Sequence, residues 1–266
     1  MIKAAFFDVD GTLVSFKTHA MPRSTAAALE ALRARGVLVV IASGRPTYQL
    51  QPFLREGFDA YVTLNGQLCL DARGVFRSHP LDDADVRAIV AQARAGRYAV
   101  LALQRDRAFL SERTPRAAQV ERDVDIVYPL DDIDRALDAP VYQFCAFLPR
   151  AREGEILAAT SHVALTRWTD LFCDVVPDEG GKAYGVRAVL ERYGIGPEEA
   201  VAFGDGENDL SMFSAVGTSV AMGNAWDEVK RRATLVTDSV DEDGVWNACR
   251  RLGLVEGEPP AAVAEK

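Results

Sequence analysis

Two carboxylates stand two residues apart near the start of the sequence, at the end of a short apolar run. The run Lys3 to Asp8 is typical of a strand, and Asp8 and Asp10 are followed by Gly11. In open parallel sheets, ligands bind at the carboxyl ends of the strands, which is where this pair would lie. Because buried carboxylates are costly unless they are paired or hold a cation, the pair could bind a metal or transfer protons. A simple Asp-Gly turn is the alternative.

A second acidic cluster lies far downstream and also follows a short apolar run. It comprises Asp205, Glu207 and Asp209, with Asn208 among them, directly after the predicted strand Ala200 to Phe203. Two acidic strand ends in one sheet can converge on a single hard cation, and Mg²⁺ prefers such oxygen ligands. A turn followed by a helix N-cap would explain the same residues without a metal.

Two further segments offer groups that suit a phosphate. Ser43 and Gly44 follow the apolar run Val37 to Ala42, and a hydroxyl beside a closely approaching backbone N–H can bind a phosphate oxygen. Lys182 opens a predicted helix directly after two glycines, which let a substrate come close to its charge. A capped turn and a solvated surface lysine are the respective alternatives.

Apolar runs alternate with helical patterns on both sides of a middle segment, which is typical of βαβ units with a parallel sheet. The predicted elements before that segment are a strand at 3–8, a helix at 24–35, a strand at 37–42, a helix at 47–56, a strand at 60–64 and a hairpin at 67–79. The predicted elements after it are helices at 182–193, 208–215, 227–233 and 245–252 and strands at 200–203 and 218–221.

The middle segment, from 81 to 177, has a different pattern and predicts a separate α+β insert. Its predicted elements are helices at 82–96, 115–123 and 150–160 and strands at 98–103, 107–110, 141–148, 164–168 and 171–175. The tail, 257–266, contains two prolines and several small residues, so we expect it to be disordered.

Composition excludes several classes of partner. The 266 residues include 30 Lys and Arg against 39 Asp and Glu, a net charge of −9, so neither nucleic acid nor an anionic membrane is expected as a partner. No apolar run approaches the roughly 18 residues of a membrane span, and the first run is too short for a secretory signal. We therefore expect a cytoplasmic protein, and the sequence indicates no protein partner. The widely spaced Cys69, Cys145, Cys173 and Cys249 predict buried, reduced thiols.

Taken in order, the four segments resemble the haloacid dehalogenase (HAD) superfamily, and within it the Cof-type branch of small-molecule phosphatases with a large cap. The resemblance extends over nearly the whole chain and includes Asn65-Gly66. It implies an α/β fold with a Rossmann-like parallel-sheet core, helices on both faces and an inserted α+β cap. The core would comprise 1–80 and 178–256, and the cap, 81–177, would determine substrate specificity.

The resemblance also implies roles for the motif residues. Asp8 would be the nucleophile that forms an aspartyl-phosphate, and Asp10 would be the general acid and then the base. Mg²⁺, or Mn²⁺ in its place, would be held by Asp8, Asp10 through its backbone carbonyl, Asp205 and, through water, Asp209. The phosphoryl oxygens would be bound by Val9, Ser43, Gly44, Lys182 and Asn208. Gly181 departs from the family pattern, which has a small polar residue before the lysine, and Asp178 and Glu179 add negative charge nearby.

The function implied is hydrolysis of a small phosphorylated metabolite. A sugar phosphate is the first expectation, and flavin mononucleotide or pyridoxal phosphate are alternatives. A carboxyl group at Asp10 favours hydrolysis of a phosphoester over removal of a halide. An alcohol must be protonated as it leaves, whereas a halide leaves without a proton. A phosphomutase acting on a sugar phosphate and a non-catalytic phosphate-ligand sensor are alternative functions. In the cap, Arg167, Trp168 and His162 are candidates for contact with the leaving group.

Overall fold

The structure, a computed structural model, describes residues 1–50 and 57–260. The first part of the chain contains β1 (Ala4–Phe7), α1 (Arg23–Ala34), β2 (Leu38–Ala42), β3 (Ala60–Thr63), β4 (Leu68–Asp71) and β5 (Gly74–Ser78). The middle part contains α2 (Asp83–Arg94), β6 (Ala99–Gln104), β7 (Ala108–Leu110), α3 (Pro115–Asp123), β8 (Val141–Phe147), α4 (Gly154–Leu157), β9 (Val163–Thr166) and β10 (Cys173–Pro177). The last part contains α5 (Lys182–Tyr193), β11 (Ala200–Gly204), α6 (Asp209–Phe213), β12 (Thr218–Ala221), α7 (Asp227–Arg232), β13 (Leu235–Val236) and α8 (Gly244–Arg251).

The larger sheet contains strands from the first and last parts of the chain. Within the described residues its order is β13-β12-β11-β1-β2-β3-β4-β5. All pairs from β13 to β3 are parallel, whereas β4 and β5 form an antiparallel hairpin at one edge. Phe7 at the end of β1 pairs with Ile41 on one side and Phe203 on the other. The carboxyl ends of β1, β2 and β11 therefore meet at the same edge.

The strands of this sheet are apolar because helices cover both faces. Ala5 and Phe7 pack in a cluster with α1 and α8, while Ala4 and Phe6 pack on the opposite face with α5. Each fully buried phenylalanine contributes about 1.5–3 kcal/mol through removal of its apolar surface from water. The two layers of helices hold the central strands in place, so the residues that follow them have a rigid base.

The smaller sheet is antiparallel throughout, with the order β7-β6-β8-β10-β9 in the part of the chain that is described. One of its faces packs against α2. Leu101, Leu103 and Phe147 are on the other face, which packs with α3 and with Leu64 and Leu68 of the first part. The smaller sheet thus places an apolar face towards the larger sheet.

The chain passes twice between the two sheets, after β5 and before α5. Arg77, near the end of β5, connects the second crossing segment to the larger sheet. Its guanidinium donates to the carbonyl of Glu179 in that segment at 3.1 Å and to the carbonyl of Gly66, in the turn between β3 and β4, at 2.9 Å. All five strands of the smaller sheet lie within the predicted insert, 81–177. The predicted α/β class, with a parallel core, helices on both faces and an additional α+β part, is confirmed.

Several predicted elements differ in extent from the structure. The helix predicted at 150–160 is a single 3-10 turn followed by the short α4, and the Thr160 hydroxyl donates to the carbonyl of Ile156 where the helix ends. Of the helix predicted at 47–56, residues 47–50 form a 3-10 turn and the rest lies outside the described residues. The strand predicted at 171–175 instead spans Cys173–Pro177.

The C-terminal tail and the cysteines are also the subject of predictions. Residues 257–260 contain no helix or strand, and 261–266 lie outside the described residues. The four cysteines are buried and free of disulfides. Within residues 1–50 and 57–260, no helix combines the length and apolar character that crossing a bilayer requires.

Candidate active site

The loop after β1 turns sharply and presents two carboxylates at the edge of the larger sheet. The backbone N–H of Asp8 donates to the carbonyl of Phe203 at 3.0 Å and so extends the pairing of β1 with β11. Gly11 has a φ of +82°, and a Cβ there would stand 2.2 Å from the carboxylate of Asp205. Only glycine allows this close approach, which brings the first acidic motif against the second.

Three carboxylates converge at this edge. One oxygen from each of Asp8, Asp205 and Asp209 lies within 4.8 Å of the others. Asp209, at the start of α6, also accepts the backbone N–H groups of Asp205 at 2.9 Å and Gly206 at 3.0 Å. Asp205 accepts the hydroxyl of Thr12 at 3.1 Å. These contacts orient the three side chains towards a common point.

Lys182 is the cation of the cluster and is fully buried. Its Nζ donates to Oδ1 of Asp8 and Oδ1 of Asp209, both at 2.6 Å. Burial alone would lower the pKa of Lys182, but the carboxylates of Asp209 and Asp8 outweigh that effect and raise the pKa above its ordinary value. Lys182 therefore remains protonated and holds Asp8 and Asp209 on either side of one ammonium group.

The charges of the cluster do not balance, because three carboxylates surround one ammonium. Burial, together with the nearby Asp8 and Asp209, raises the pKa of Asp205 well above its usual range. Burial also raises the pKa of Asp8, against the opposing effect of Lys182. A divalent cation would relieve this excess of negative charge, and carboxylate oxygens are the donors that hard cations prefer. The donor set therefore fits Mg²⁺ or Mn²⁺.

Asp10 faces the cleft above the cluster and is held by an arginine that the sequence analysis did not include. Nε of Arg45 donates to Oδ2 of Asp10 at 2.8 Å, and Nη2 donates to Oδ1 at 2.6 Å. Such a two-point ion pair fixes the plane of the carboxylate. The position of Arg45 directly after Ser43-Gly44, at a strand end, is the sequence signal that could have identified it.

Most of the predicted phosphate-binding residues line the cleft, but the side chain of Val9 does not. Ser43 and Gly44, which follow β2, line the same cleft as Asp8 and Asp10. Asn208 lines it as well; its Nδ2 donates to Oδ1 of Asn65 at 3.2 Å, and its own Oδ1 has no partner within the described residues. The side chain of Val9 is buried in the apolar core, so only its backbone could serve.

The three candidate residues of the insert have different environments. Trp168 lines the cleft and stacks on Phe16, with ring centroids 6.2 Å apart. Arg167 does not face the cleft: it is buried, pairs with Glu153 at 2.5 Å and donates to the carbonyl of Phe172 at 2.7 Å. The expectation that Arg167 meets a leaving group is therefore wrong, because its donors are used within the insert. His162 is exposed and is not among the residues that line this cleft, so the structure does not bring it together with the other candidates.

Two polar residues of the insert were missed. Asp174 of β10 and Gln143 of β8 are buried on the wall opposite Asp8. Nδ2 of Asn65 donates to Oδ2 of Asp174 at 2.9 Å and to Oε1 of Gln143 at 3.0 Å. A lone carboxylate within the otherwise apolar run Cys173–Pro177 is a sequence signal for Asp174.

The chain is similar to known proteins over most of its length. The family model described as haloacid dehalogenase-like hydrolase matches residues 5–249. YkrA of Bacillus subtilis (strain 168), provisionally named a phosphatase, is 35% identical over 263 residues, which cover 96% of this chain and 99% of YkrA.

Two solved structures are also similar. One is described as a sugar phosphatase of HAD subclass IIB; it has a TM-score of 0.88 and 33% identity, with 95% of this chain and 100% of that chain covered. The other, from Bacteroides thetaiotaomicron, was described in a study of HAD phosphatases; it has a TM-score of 0.87 and 34% identity, with 96% of each chain covered.

Proposed function

We propose that this chain, which belongs to the haloacid dehalogenase-like hydrolases, is a Mg²⁺-dependent phosphatase that cleaves a small phosphorylated metabolite through an aspartyl-phosphate. The class of enzyme, a HAD phosphoric monoester hydrolase, follows from the family and its phosphatase relatives. The observation that carries the mechanism is the buried ammonium of Lys182 between Asp8 and Asp209, with Asp205 beside them.

Asp8 is proposed as the nucleophile. Lys182 occupies Oδ1 of Asp8, which leaves Oδ2 as the oxygen that attacks phosphorus. As the bond from Oδ2 to phosphorus forms, the bond from phosphorus to the ester oxygen breaks. Lys182 thereby fixes the orientation of the nucleophile as well as contributing positive charge near the transferring group.

Asp10 is proposed as the general acid and base. In the first step it donates a proton to the departing ester oxygen, so that a neutral alcohol leaves. In the second step it removes a proton from a water molecule, whose oxygen attacks phosphorus and releases Asp8 and inorganic phosphate. Arg45 donates to both oxygens of Asp10 and so positions the carboxylate for the second step, in which Asp10 accepts a proton.

The remaining residues of the cluster would hold the cation and the phosphoryl oxygens. Mg²⁺, held by Asp8, Asp205 and the backbone carbonyl of Asp10 and through water by Asp209, would neutralise negative charge on the transferring group. The hydroxyl of Ser43 and the backbone N–H groups of Val9 and Gly44 would bind the phosphoryl oxygens, together with Lys182 and Asn208.

The substrate is proposed to be a monophosphate ester of a small metabolite, with sugar phosphates as the first class to test. This choice is supported by the similar structure described as a sugar phosphatase. Flavin mononucleotide and pyridoxal phosphate belong in the same panel, because Trp168 offers an aromatic surface in the cleft.

The decisive test is release of inorganic phosphate from a panel of sugar, nucleotide and cofactor phosphates, with Mg²⁺ or with EDTA. We expect release that requires Mg²⁺ and is abolished by Asp8→Asn. Asp106, which is 90% exposed in the insert, provides the matched control Asp106→Asn, which should retain full activity. Isomerised sugar phosphate without free phosphate would indicate a mutase instead, and binding without any turnover would indicate a sensor.

A further inference from the structure

The wall of the cleft opposite Asp8 is formed by the insert and consists mainly of apolar side chains. Leu101 and Leu103 of β6, Phe147 of β8 and Phe172 contribute buried side chains to it. In the proposed function this wall meets the alcohol part of the ester, since the phosphoryl group is bound at the strand ends. An apolar wall of this kind contacts the C–H face of a ring but solvates no charge.

The charged group on that wall is a carboxylate. Asp174 is 1% exposed and accepts three hydrogen bonds, from Nε2 of Gln143 at 2.7 Å, Nδ2 of Asn65 at 2.9 Å and Sγ of Cys145 at 3.2 Å. These donors hold the carboxylate rigidly beside the space that a leaving group would occupy. An anion placed there would be repelled in a medium of low dielectric constant.

No lysine, arginine or histidine of the insert lines the cleft, as far as the described residues extend. The nearby arginines of the insert bind other groups: Arg167 pairs with Glu153, and Arg116 donates to the carbonyl of Asp170 at 3.0 Å. From the core, Arg45 faces the cleft, but its Nε and Nη2 are bound by Asp10. A second anionic group on the substrate would therefore find a carboxylate and no unengaged cation on this wall.

From this distribution of charge we infer that the enzyme selects phosphate esters whose leaving alcohol is uncharged, and rejects esters that carry a carboxylate or a second phosphate on that alcohol. The inference rests on the proposed function, and it specifies which members of the substrate class the cleft accepts. Repulsion between like charges within a protein cleft lowers affinity by roughly 10²-fold.

Pairs of esters that differ in one carboxylate test this selection. Glucitol 6-phosphate is compared with 6-phosphogluconate, and glycerol 1-phosphate with 3-phosphoglycerate, at pH 8 with Mg²⁺. We expect kcat/KM for the neutral member of each pair to exceed that of the acid by about 10²-fold. Competitive inhibition of p-nitrophenyl phosphate hydrolysis by the same four compounds measures the preference even where a compound is not turned over.

Two variants test whether the preference for neutral esters depends on the charge of the apolar wall. Val124 lines the cleft at the C-terminal end of α3, and the C-terminal end of a helix favours a cation. Val124→Lys should therefore reduce the ratio of kcat/KM between neutral and acidic esters at least tenfold. Asp174→Asn should also reduce this ratio of kcat/KM. Leu137 is exposed and outside the cleft lining, so Leu137→Lys is the matched control and should leave the ratio unchanged.

The outcomes separate this inference from the proposed function. Hydrolysis of neutral and acidic esters with similar kcat/KM in the wild type would overturn the inference and leave the phosphatase intact. Absence of hydrolysis of every ester, p-nitrophenyl phosphate included, would overturn both. Val124 is also buried in an apolar cluster, so both variants are first checked for folding by circular dichroism. If neither folds, the wild-type ratios for the two ester pairs decide the question, and an unchanged ratio in a variant that does fold contradicts the inference.

Discussion

The two sides of the cleft differ in how many charged groups they carry. On the side of the larger sheet, Asp8, Asp205 and Asp209 surround Lys182, so charges are concentrated where strands end. On the side of the smaller sheet, the wall is apolar and Asp174 is its charged group. This contrast fits the proposed function, in which one side stabilises a reacting group of high charge and the other selects among leaving groups.

A single side chain joins the two sides. Asn65 lies in a left-handed conformation with a φ of 52°, two residues after the end of β3. Its Nδ2 donates to Asp174 and Gln143 of the insert, while its Oδ1 accepts from Asn208 beside the acidic cluster. A residue held in a strained backbone region is frequently functional, and here the strain places one amide between both walls. The position of the insert is thus connected to a residue proposed to bind phosphate.

The largest effect is expected from Asp10, because it is the member of the charged side that faces the leaving group. Asp10→Ala should lower kcat for sugar and other alkyl phosphates by up to about 10⁴-fold, or about 5 kcal/mol in the barrier. Hydrolysis of p-nitrophenyl phosphate, whose leaving group needs no proton, should decline far less. Steady-state kinetics on both kinds of ester provide the comparison. Equal losses for both would contradict the role of Asp10 as an acid.

The next effect concerns the buried lysine of the charged side. Lys182→Met leaves Asp8 and Asp209 without their ammonium, so the free energy of unfolding in EDTA should decrease by about 3–5 kcal/mol. Lys3 also pairs with a carboxylate, that of Glu199 at 2.7 Å, but it is 55% exposed. Lys3→Met is therefore the matched control, with an expected loss under about 1 kcal/mol. Urea unfolding measures both, and similar losses would show that burial does not distinguish the two pairs.

On the apolar side, the buried carboxylate should make stability depend on pH. Burial raises the pKa of Asp174 from 3.8 to about 6, against the opposing effect of its hydrogen bonds from Cys145 and Asn65. Because the folded form binds the proton more tightly, ionisation of Asp174 reduces the free energy of unfolding as pH rises from about 4 through 6. The shift corresponds to about 3 kcal/mol.

Asp174→Asn isolates this contribution, since asparagine does not ionise. The stability of the variant relative to the wild type should improve by about 3 kcal/mol between pH 4 and pH 8 in urea unfolding. Asp106→Asn, at an exposed position, is the control and should keep a constant difference from the wild type. A difference that is also constant for Asp174→Asn would mean that the carboxyl group titrates as an ordinary one.

The smallest expected effect is the stabilisation by Mg²⁺, which should depend on the charged side of the cleft and not on the apolar side. At 100 times its dissociation constant, Mg²⁺ should raise the free energy of unfolding of the wild type by about 2.7 kcal/mol. Asp205→Asn removes a proposed ligand and should abolish most of that gain, whereas Asp174→Asn, across the cleft, should retain it. Thermal or urea unfolding with and without Mg²⁺ checks the prediction. Equal stabilisation of the wild type and Asp205→Asn would place the cation elsewhere.

The sequence predicted the larger sheet better than the insert. Residues such as Phe7, Ile41 and Phe203 belong to strands covered on both faces, and their continuous apolar runs identify them. In the insert, the helix predicted at 150–160 is instead a 3-10 turn and the short α4, because short amphipathic segments are compatible with several local structures. The strand boundaries near Cys173 shifted for the same reason.

The sequence alone predicted the class of fold and the acidic residues that follow two of its strands, because apolar periodicity and glycine-flanked carboxylates are local properties. It did not predict that Lys182 lies between two of those carboxylates. It could not determine that Arg45 binds Asp10, that Arg167 is used within the insert, or that Asp174 meets Asn65. The last two residues are 109 positions apart, and no local pattern encodes their contact. Asp174 meets Asn65 because the smaller sheet packs against the larger one, and Arg45 meets Asp10 because β1 and β2 are neighbours in the larger sheet. Such contacts between distant residues settle which charges face the cleft.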